Sequence, residues 1–177
     1  MLDLETFSPS PRAMILSIGA VRFSLDKLEL GDEFYHVIDL TSYDDPTFDF
    51  SPNTFYWWMG QGDEAKKIFD ADTVKVGIKK ALAEFTYFVK NSNSDSSVLI
   101  WGNGASFDNV IIRHAYEVCK FPVPWSHKQD VCFRTIRRMF PHTKVEGGVA
   151  HNALQDAKNQ ALTMIQIFSS FKGEFIP

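Results

Sequence analysis

Asp3 and Glu5 stand two residues apart at the head of the chain, and Asp108, His151 and Asp156 follow at wide separations. In an extended strand, side chains at i and i+2 share one face of the sheet, so the first pair sets two carboxylates side by side. Two carboxylates on one face repel unless something cationic joins them. Four carboxylates from separate segments meeting at one point would hold hard, oxygen-seeking divalent ions such as Mg²⁺ or Mn²⁺, rather than Zn²⁺, which prefers Cys and His. Two such ions about 4 Å apart suit in-line displacement at phosphorus, one orienting and deprotonating the attacking water and the other stabilising the leaving 3′ oxygen. His151 lies five residues before Asp156. An imidazole with an ordinary pKa near 6.5 is available as a neutral base at working pH. A two-metal phosphoryl-transfer site is the leading expectation.

The elements that must position these residues follow from apolar patterning. Met1 to Glu5, Met14 to Phe23 (MILSIGAVRF) and Glu33 to Leu40 (EFYHVIDL) are apolar or β-branched and short, and read as three antiparallel strands. Thr41 to Pro52 is a loop, and Ser51-Pro52 starts a helix carrying Phe55, Tyr56, Trp57 and Trp58 that Gly60 and Gly62 close. A helix follows Asp63, and a longer one runs from about Thr73 to Val89 with Val74, Ile78, Leu82, Phe85 and Val89 at helical spacing. Residues 91–97 are a surface loop by composition.

Val98 to Trp101 reads as a buried strand, followed by Gly102-Asn103-Gly104 and a helix capped by Ser106, with Val110, Ile111, Ala115 and Val118 inside. This βα unit puts Asp108 in the first turn after the carboxyl end of a strand, where α/β sheets place their ligand sites. After Phe121-Pro122-Val123-Pro124 and a short segment near Trp125 to Asp130, Val131 to Phe140 is helical. Gly147-Gly148 is a flexible joint that would let His151 swing in when substrate arrives. The last helix spans about Asn152 to Phe171, with Leu154, Ala157, Ala161, Met164, Ile165 and Phe168 on one face. The order predicts one α/β domain over residues 1–177: a mixed five-stranded sheet, three antiparallel strands and then parallel βα units, flanked by helices.

Composition limits the partners. The 177 residues are 45% hydrophobic, which excludes a disordered or low-complexity chain. Eighteen basic against twenty-two acidic side chains exclude a bulk nucleic-acid coat or a polybasic membrane binder. Cys119 and Cys132 make no disulfide framework and read as buried thiols without catalytic work. No apolar run approaches the roughly 20 residues that span a bilayer, so no membrane partner is expected, and a reducing cytoplasm fits best. Ser106 is not read as a nucleophile, because no His or acid is placed to activate it.

Between Ser106 and Lys144 stand seven cations (Arg113, Lys120, Lys128, Arg134, Arg137, Arg138, Lys144) against three acids (Asp108, Glu117, Asp130), a net +4 that leaves −8 elsewhere. A small basic surface beside a metal site suits gripping a few phosphates of one strand end. Arg137-Arg138 reads first as a solvated helix face, and Asp130 as a supporting carboxylate. Exposed rings would stack bases without sequence preference, with Phe7, Trp57 or Trp58, and Phe107 as candidates and Phe7 placed to wedge against the terminal base.

Asp3-Leu4-Glu5-Thr6, Gly104-Ala105-Ser106-Phe107-Asp108-Asn109 and His151-x4-Asp156 together resemble the three motifs of DEDDh 3′-to-5′ exonucleases, a group of the ribonuclease H-like superfamily that includes proofreading exonucleases and ribonuclease T. The resemblance implies a ribonuclease H-like fold, with two Mg²⁺ (or Mn²⁺ as a substitute) on Asp3, Glu5, Asp108 and Asp156, and His151 as general base. It implies release of nucleoside 5′-monophosphates from a single-stranded 3′ end, and it admits a homodimer.

Thr54-x2-Trp57-Trp58-x2-Gln61-x2-Glu64-Ala65 and Gln129-Asp130-x3-Arg134-Thr135 are similar to the exonuclease VIII-like and RNase AS-like branch of phage, prophage and bacterial nucleases, which favours a phage-type DNA enzyme in a bacterial or phage-infected cytoplasm. Thr6, Phe7, Trp58, Phe107 and Arg134 are the candidates for holding substrate. The chain departs from the pattern after Glu5-Thr6, where Phe7-Ser8-Pro9 replaces a common glycine, and only two residues precede Asp3, so a native start further upstream is expected. Two rivals are an exoribonuclease using the same chemistry and a non-catalytic binding module. The intact set of four acids and His151 argues against the module.

Overall fold

The computed structural model describes residues 1–91 and 98–171, so the loop expected at 91–97 lies almost wholly outside the described residues. Leu2–Thr6 (β1), Ile15–Ser24 (β2) and Glu29–Ile38 (β3) form an antiparallel meander in which Asp3 pairs with Gly19 and Glu5 with Ser17. Leu2 and Leu4 point to one face of β1 and are buried there with Ile18 and Ala20. Asp3 and Glu5 therefore point to the other. Burying the two leucines stabilises this register by roughly 1.5–3 kcal/mol each. A slip of one residue would exchange the faces and put carboxylates in the core.

The remaining strands are short. Lys75–Val76 (β4) runs parallel to β3, Ile100–Gly102 (β5) parallel to β1, and Asp130–Cys132 (β6) parallel to β5, giving a six-stranded mixed sheet in the order β4-β3-β2-β1-β5-β6. Six strands replace the five expected. β4 and most of β6 fall where helix starts are expected from the sequence. Val74 is 83% exposed and lies outside the helix, which begins at Ile78 after Gly77 (α3, Ile78–Lys90). Lys75 and Val76 instead pair with Val37 and Ile38, and Asp39 N–H donates to Val76 O at 2.8 Å. Likewise Val131 and Cys132 pair with Trp101 and Gly102 before the next helix begins at Phe133.

Helices cover both faces. Pro52–Met59 (α1) and Asp63–Lys66 (α2) close a cluster of Phe7, Leu16, Val37, Trp58, Ala65 and Ile68. Ser51 caps α1, its hydroxyl accepting from Thr54 N–H at 3.3 Å. α3 and Asp108–Val118 (α4) pack over Leu2 and Leu4. Phe133–Met139 (α5) and Ala153–Phe171 (α6) pack on the opposite face with Met1 and Val21. Ser106 does not cap α4. Phe107 occupies the cap position without a side-chain bond, and Val110 is exposed.

Four of the six residues expected on the inner face of α6, Ala157, Ala161, Met164 and Ile165, are buried, joined by Ala153, Gln160, Thr163 and Ile167, whereas Leu154 is half-buried and Phe168 exposed. Two close approaches explain the small residues. A Cβ on Gly19 would lie 2.1 Å from Ala153 C and 2.2 Å from Leu154 N, so the start of α6 lies directly on β2. A Cβ on Gly102 would lie 2.3 Å from Asn109 Oδ1 and 3.1 Å from Asp108 Cβ, so the start of α4 lies as closely on β5. Each helix start carries one of the acids.

Candidate active site

β1, α4 and α6 deliver the carboxylates to one place. Glu5, His151 and Asp156 offer ligand atoms that all lie within 4.8 Å of one another. Asp3 is two residues back along the same strand face, and its Oδ1 accepts from Gln160 Nε2 at 2.7 Å. Asp108 reaches β1 from the other side, its Oδ1 accepting from Leu4 N–H at 3.2 Å. The strand register shifts between Glu5 and Thr6, the irregularity that ends the regular ladder at the site.

The electrostatics record the crowding. Burial, and then the charges of Asp108, Glu5 and Asp156, push Asp3 well above the usual carboxylate range. Glu5 is pushed up to about 8 by burial and then by Asp156 and Asp108. Burial raises Asp108, although backbone N–H groups and Arg134 oppose it. Asp156 is raised by burial, with His151 opposing. Asp108 Oδ2 is buried with no hydrogen-bond partner among the described residues. Four carboxylates, one with an unsatisfied buried oxygen, fit hard divalent cations, which would remove the repulsion that raises these pKa values.

His151 stands in the left-handed backbone region at φ 61°, a conformation that costs a non-glycine residue of order 1–3 kcal/mol. Its ring already sits beside Glu5 and Asp156, packed edge-on against Trp57 at 4.8 Å and Trp58 at 6.1 Å. The approach at Gly147-Gly148 is tied down. Asn159 Nδ2 donates to Gly147 O at 2.9 Å, and Val145 N–H donates to Thr163 Oγ1 at 2.9 Å.

The candidates for substrate contact divide by burial. Phe7 is 3% exposed and Trp58 1%, so neither presents a ring to a base, and the wedge expected of Phe7 is corrected. Phe7 packs against Phe50 and Phe69 at 5.1 and 5.8 Å, and Trp58 Nε1 donates to Thr6 O at 3.1 Å, so both wall the site from behind. Thr6 is buried too, its hydroxyl donating to Ser8 O at 2.8 Å. Phe107 is half-buried against the α3–α4 core. Trp57, beside Trp58 in sequence, is 46% exposed next to His151. Arg134 is exposed, donates to Asn103 O, and lies against Gly104.

Asp130 stands apart from the acids and organises the β5–α4 junction, accepting from Asn109 Nδ2 at 2.9 Å, Arg113 Nε at 2.8 Å and Trp125 Nε1 at 2.7 Å. Cys119 is a buried and Cys132 a half-buried free thiol. Gln160 is the contact that sequence reasoning missed. The available signal was its spacing of four from Asp156, which puts both on one face of α6.

The model of the 3′-5′ exoribonuclease Rv2179c-like domain matches residues 1–168. No curated protein matches the chain. Among solved structures, the nuclease domain of 3′hExo, described as a DEDDh family member bound to rAMP, is 12% identical with a TM-score of 0.62, over 96% of this chain and 90% of that one. A 3′-exonuclease described in 3′-end-specific recognition of histone mRNA stem-loop is 12% identical with a TM-score of 0.59, over 96% and 80% of the two chains. At such identities the likeness carries the fold, which is that of the ribonuclease H-like nuclease domains. No helix among the described residues is long and apolar enough to cross a membrane. With the family model spanning nearly the whole sequence and the three acidic motifs meeting on β1, α4 and α6, the chain belongs to the 3′-5′ exoribonuclease Rv2179c-like family and is a 3′-to-5′ exonuclease of the DEDDh type.

Proposed function

We propose that this enzyme hydrolyses RNA from a single-stranded 3′ end, releasing nucleoside 5′-monophosphates one at a time, with two divalent cations, Mg²⁺ by preference and Mn²⁺ as substitute, held by Asp3, Glu5, Asp108 and Asp156. The observation that carries this reading is the meeting of those carboxylates with His151 beside Glu5 and Asp156. RNA is preferred to the DNA suggested by the sequence because the family is described by an exoribonuclease domain. Divalent cations there would lower the pKa of a bound water and neutralise charge developing at phosphorus. His151 accepts the proton of the attacking water, and its φ near 61° and its packing against Trp57 fix the ring for that transfer. The buried wall of Phe7 and Trp58 keeps bulk water from the reacting phosphate. Trp57 stacks the terminal base and Arg134 meets a backbone phosphate.

End-labelled single- and double-stranded RNA and DNA, with Mg²⁺, Mn²⁺ or EDTA, test the reading. The expected result is a ladder of single-stranded RNA shortened from its 3′ end in Mg²⁺ and no cleavage in EDTA. Degradation of DNA with RNA left intact would assign the DNA substrate instead, and equal rates in EDTA and Mg²⁺ would overturn the mechanism. His151→Ala is expected to lower kcat by about 10²–10⁴-fold with the melting temperature retained. Trp57→Ala is expected to raise KM by at least about 5-fold, the lower end of a base stack worth roughly 1–3 kcal/mol, with kcat little changed. A Trp57→Ala effect confined to kcat would mean that the ring serves only to hold His151.

A further inference from the structure

A cavity of about 430 Å³ opens beside the acids between α5, the segment leading to His151, and α6, and Asp3, Asn103, Arg137, Lys144, Asp156 and Gln160 are among the residues lining it. That volume lies within the range of nucleotide-sized ligand sites. Lys144 is paired with Glu146 across the mouth segment. Gln160 is only 8% exposed, yet its Oε1 is buried with no partner among the described residues, as is Asn103 Oδ1. Gln160 Nε2 donates to Asp3 Oδ1 at 2.7 Å, which turns Oε1 to the other side, a buried acceptor with no donor among the described residues.

The direction of the reaction says which donor arrives. His151, the base of the reading above, has its ring within 4.8 Å of the carboxylates of Glu5 and Asp156, so on that reading the attacking water lies at this corner. Asp3 lies about 7 Å further along β1 than Glu5. Gln160 lies about 6 Å further along α6 than Asp156. Both displacements lead away from His151. In-line displacement requires the leaving 3′ oxygen to depart on the side of phosphorus opposite the water, and therefore toward Asp3 and Gln160. The ribose 2′-OH is vicinal to that oxygen and is a donor that only RNA carries.

We propose that this cavity seats the penultimate nucleotide, whose 3′ oxygen is the leaving group, and that Gln160 Oε1 accepts a hydrogen bond from its 2′-OH, with Arg137 and Lys144 meeting its own 5′ phosphate. The proposal rests on the RNA reading above and makes Gln160 a specificity-determining residue.

The test uses RNA oligonucleotides with a single 2′-deoxy substitution at the last, penultimate or third nucleotide, and the wild-type and Gln160→Met enzymes. Methionine keeps the volume and cannot replace the amide acceptor. Wild type is expected to lose about tenfold in kcat/KM for the penultimate substitution alone, the effect of leaving one buried acceptor unpaired. Gln160→Met is expected to be slower on every substrate, because Asp3 loses its donor, but to show less than a twofold penalty at that position. A wild type indifferent to the penultimate sugar, or a Gln160→Met enzyme with the full penalty, would overturn the proposal while leaving the exoribonuclease reading intact. The wild-type series answers the question even where the variant does not fold. Failure to degrade the all-ribose oligonucleotide would remove the reading itself, and the proposal with it.

Discussion

Asp108→Asn is expected to cut phosphodiester cleavage by about 10²–10³-fold or more, the effect of removing one preorganised electrostatic group, while making the metal-free protein more stable. The asparagine Oδ1 still accepts from Leu4 N–H, so the β1–α4 contact survives. What it removes is a buried carboxylate facing Asp3 and Glu5. The sign follows from linkage. Glu5 is pushed up to about 8, and Asp3 and Asp108 are also raised, so the folded state holds protons that the unfolded chain releases at ordinary carboxylate pKa values. The stability contribution of these protons is complete at low pH and is lost as pH rises toward 8.

In EDTA the wild-type melting temperature should therefore fall between about pH 5 and pH 8, as far as these groups govern it, and Mg²⁺ should restore it at the upper end by binding only the folded site. Asp108→Asn should flatten that slope and raise the pH 8 value in EDTA by several degrees, at roughly 2–4 °C per kcal/mol for a domain of this size. Thermal unfolding at three pH values, with and without Mg²⁺, checks it. A variant less stable than wild type in EDTA at pH 8 would mean that the acids are not held together against their own repulsion.

Much of the site could be read before the structure because its acids obey local geometry. Alternation along β1 set Asp3 and Glu5 on one face, and the strand–glycine–helix unit set Asp108 at a strand's carboxyl end. What could not be read depends on contacts rather than spacing. β4 and β6 are two and three residues long, too short for any period to emerge, and exist because Val37–Ile38 and Ile100–Gly102 offer them free edges. Trp57 and Trp58 are identical residue types about 100° apart on one helix, and only the position of Phe69 and Thr6 decides that Trp58 turns inward. Phe7 was read as a wedge because it follows the acidic motif, but the strand irregularity after Glu5 coincides with its burial in the cluster behind α1. Gln160 carries no motif, and its value comes from Asp3, which lies 157 residues away in the chain.

Gly19→Ala should impair both folding and cleavage, although Gly19 bears no functional group. The added methyl carbon would lie 2.1 Å from Ala153 C and 2.2 Å from Leu154 N, far inside any real contact, and both are backbone atoms that no side-chain rotation can move. The start of α6 must lift from β2 by more than an ångström. Overpacking of this kind costs typically 1–3 kcal/mol, and at 2–4 °C per kcal/mol the melting temperature should drop by roughly 2–12 °C. The same displacement carries Asp156, one turn into α6, away from Glu5, which is fixed on β1.

A misplacement of about 1 Å at a reacting centre costs on the order of 10²-fold in rate, so kcat should fall by that factor even at a temperature where Gly19→Ala is fully folded. Gly62→Ala supplies the comparison, because a Cβ there meets nothing within 4 Å, and it should leave both melting temperature and kcat unchanged. If Gly19→Ala lowers the melting temperature while its kcat at 20 °C matches that of Gly62→Ala, then the contact between α6 and β2 stabilises the fold without setting the distance between Glu5 and Asp156. If both fall together, the absence of one side chain on β2 is what brings the acid of the last helix to the acids of the first strand.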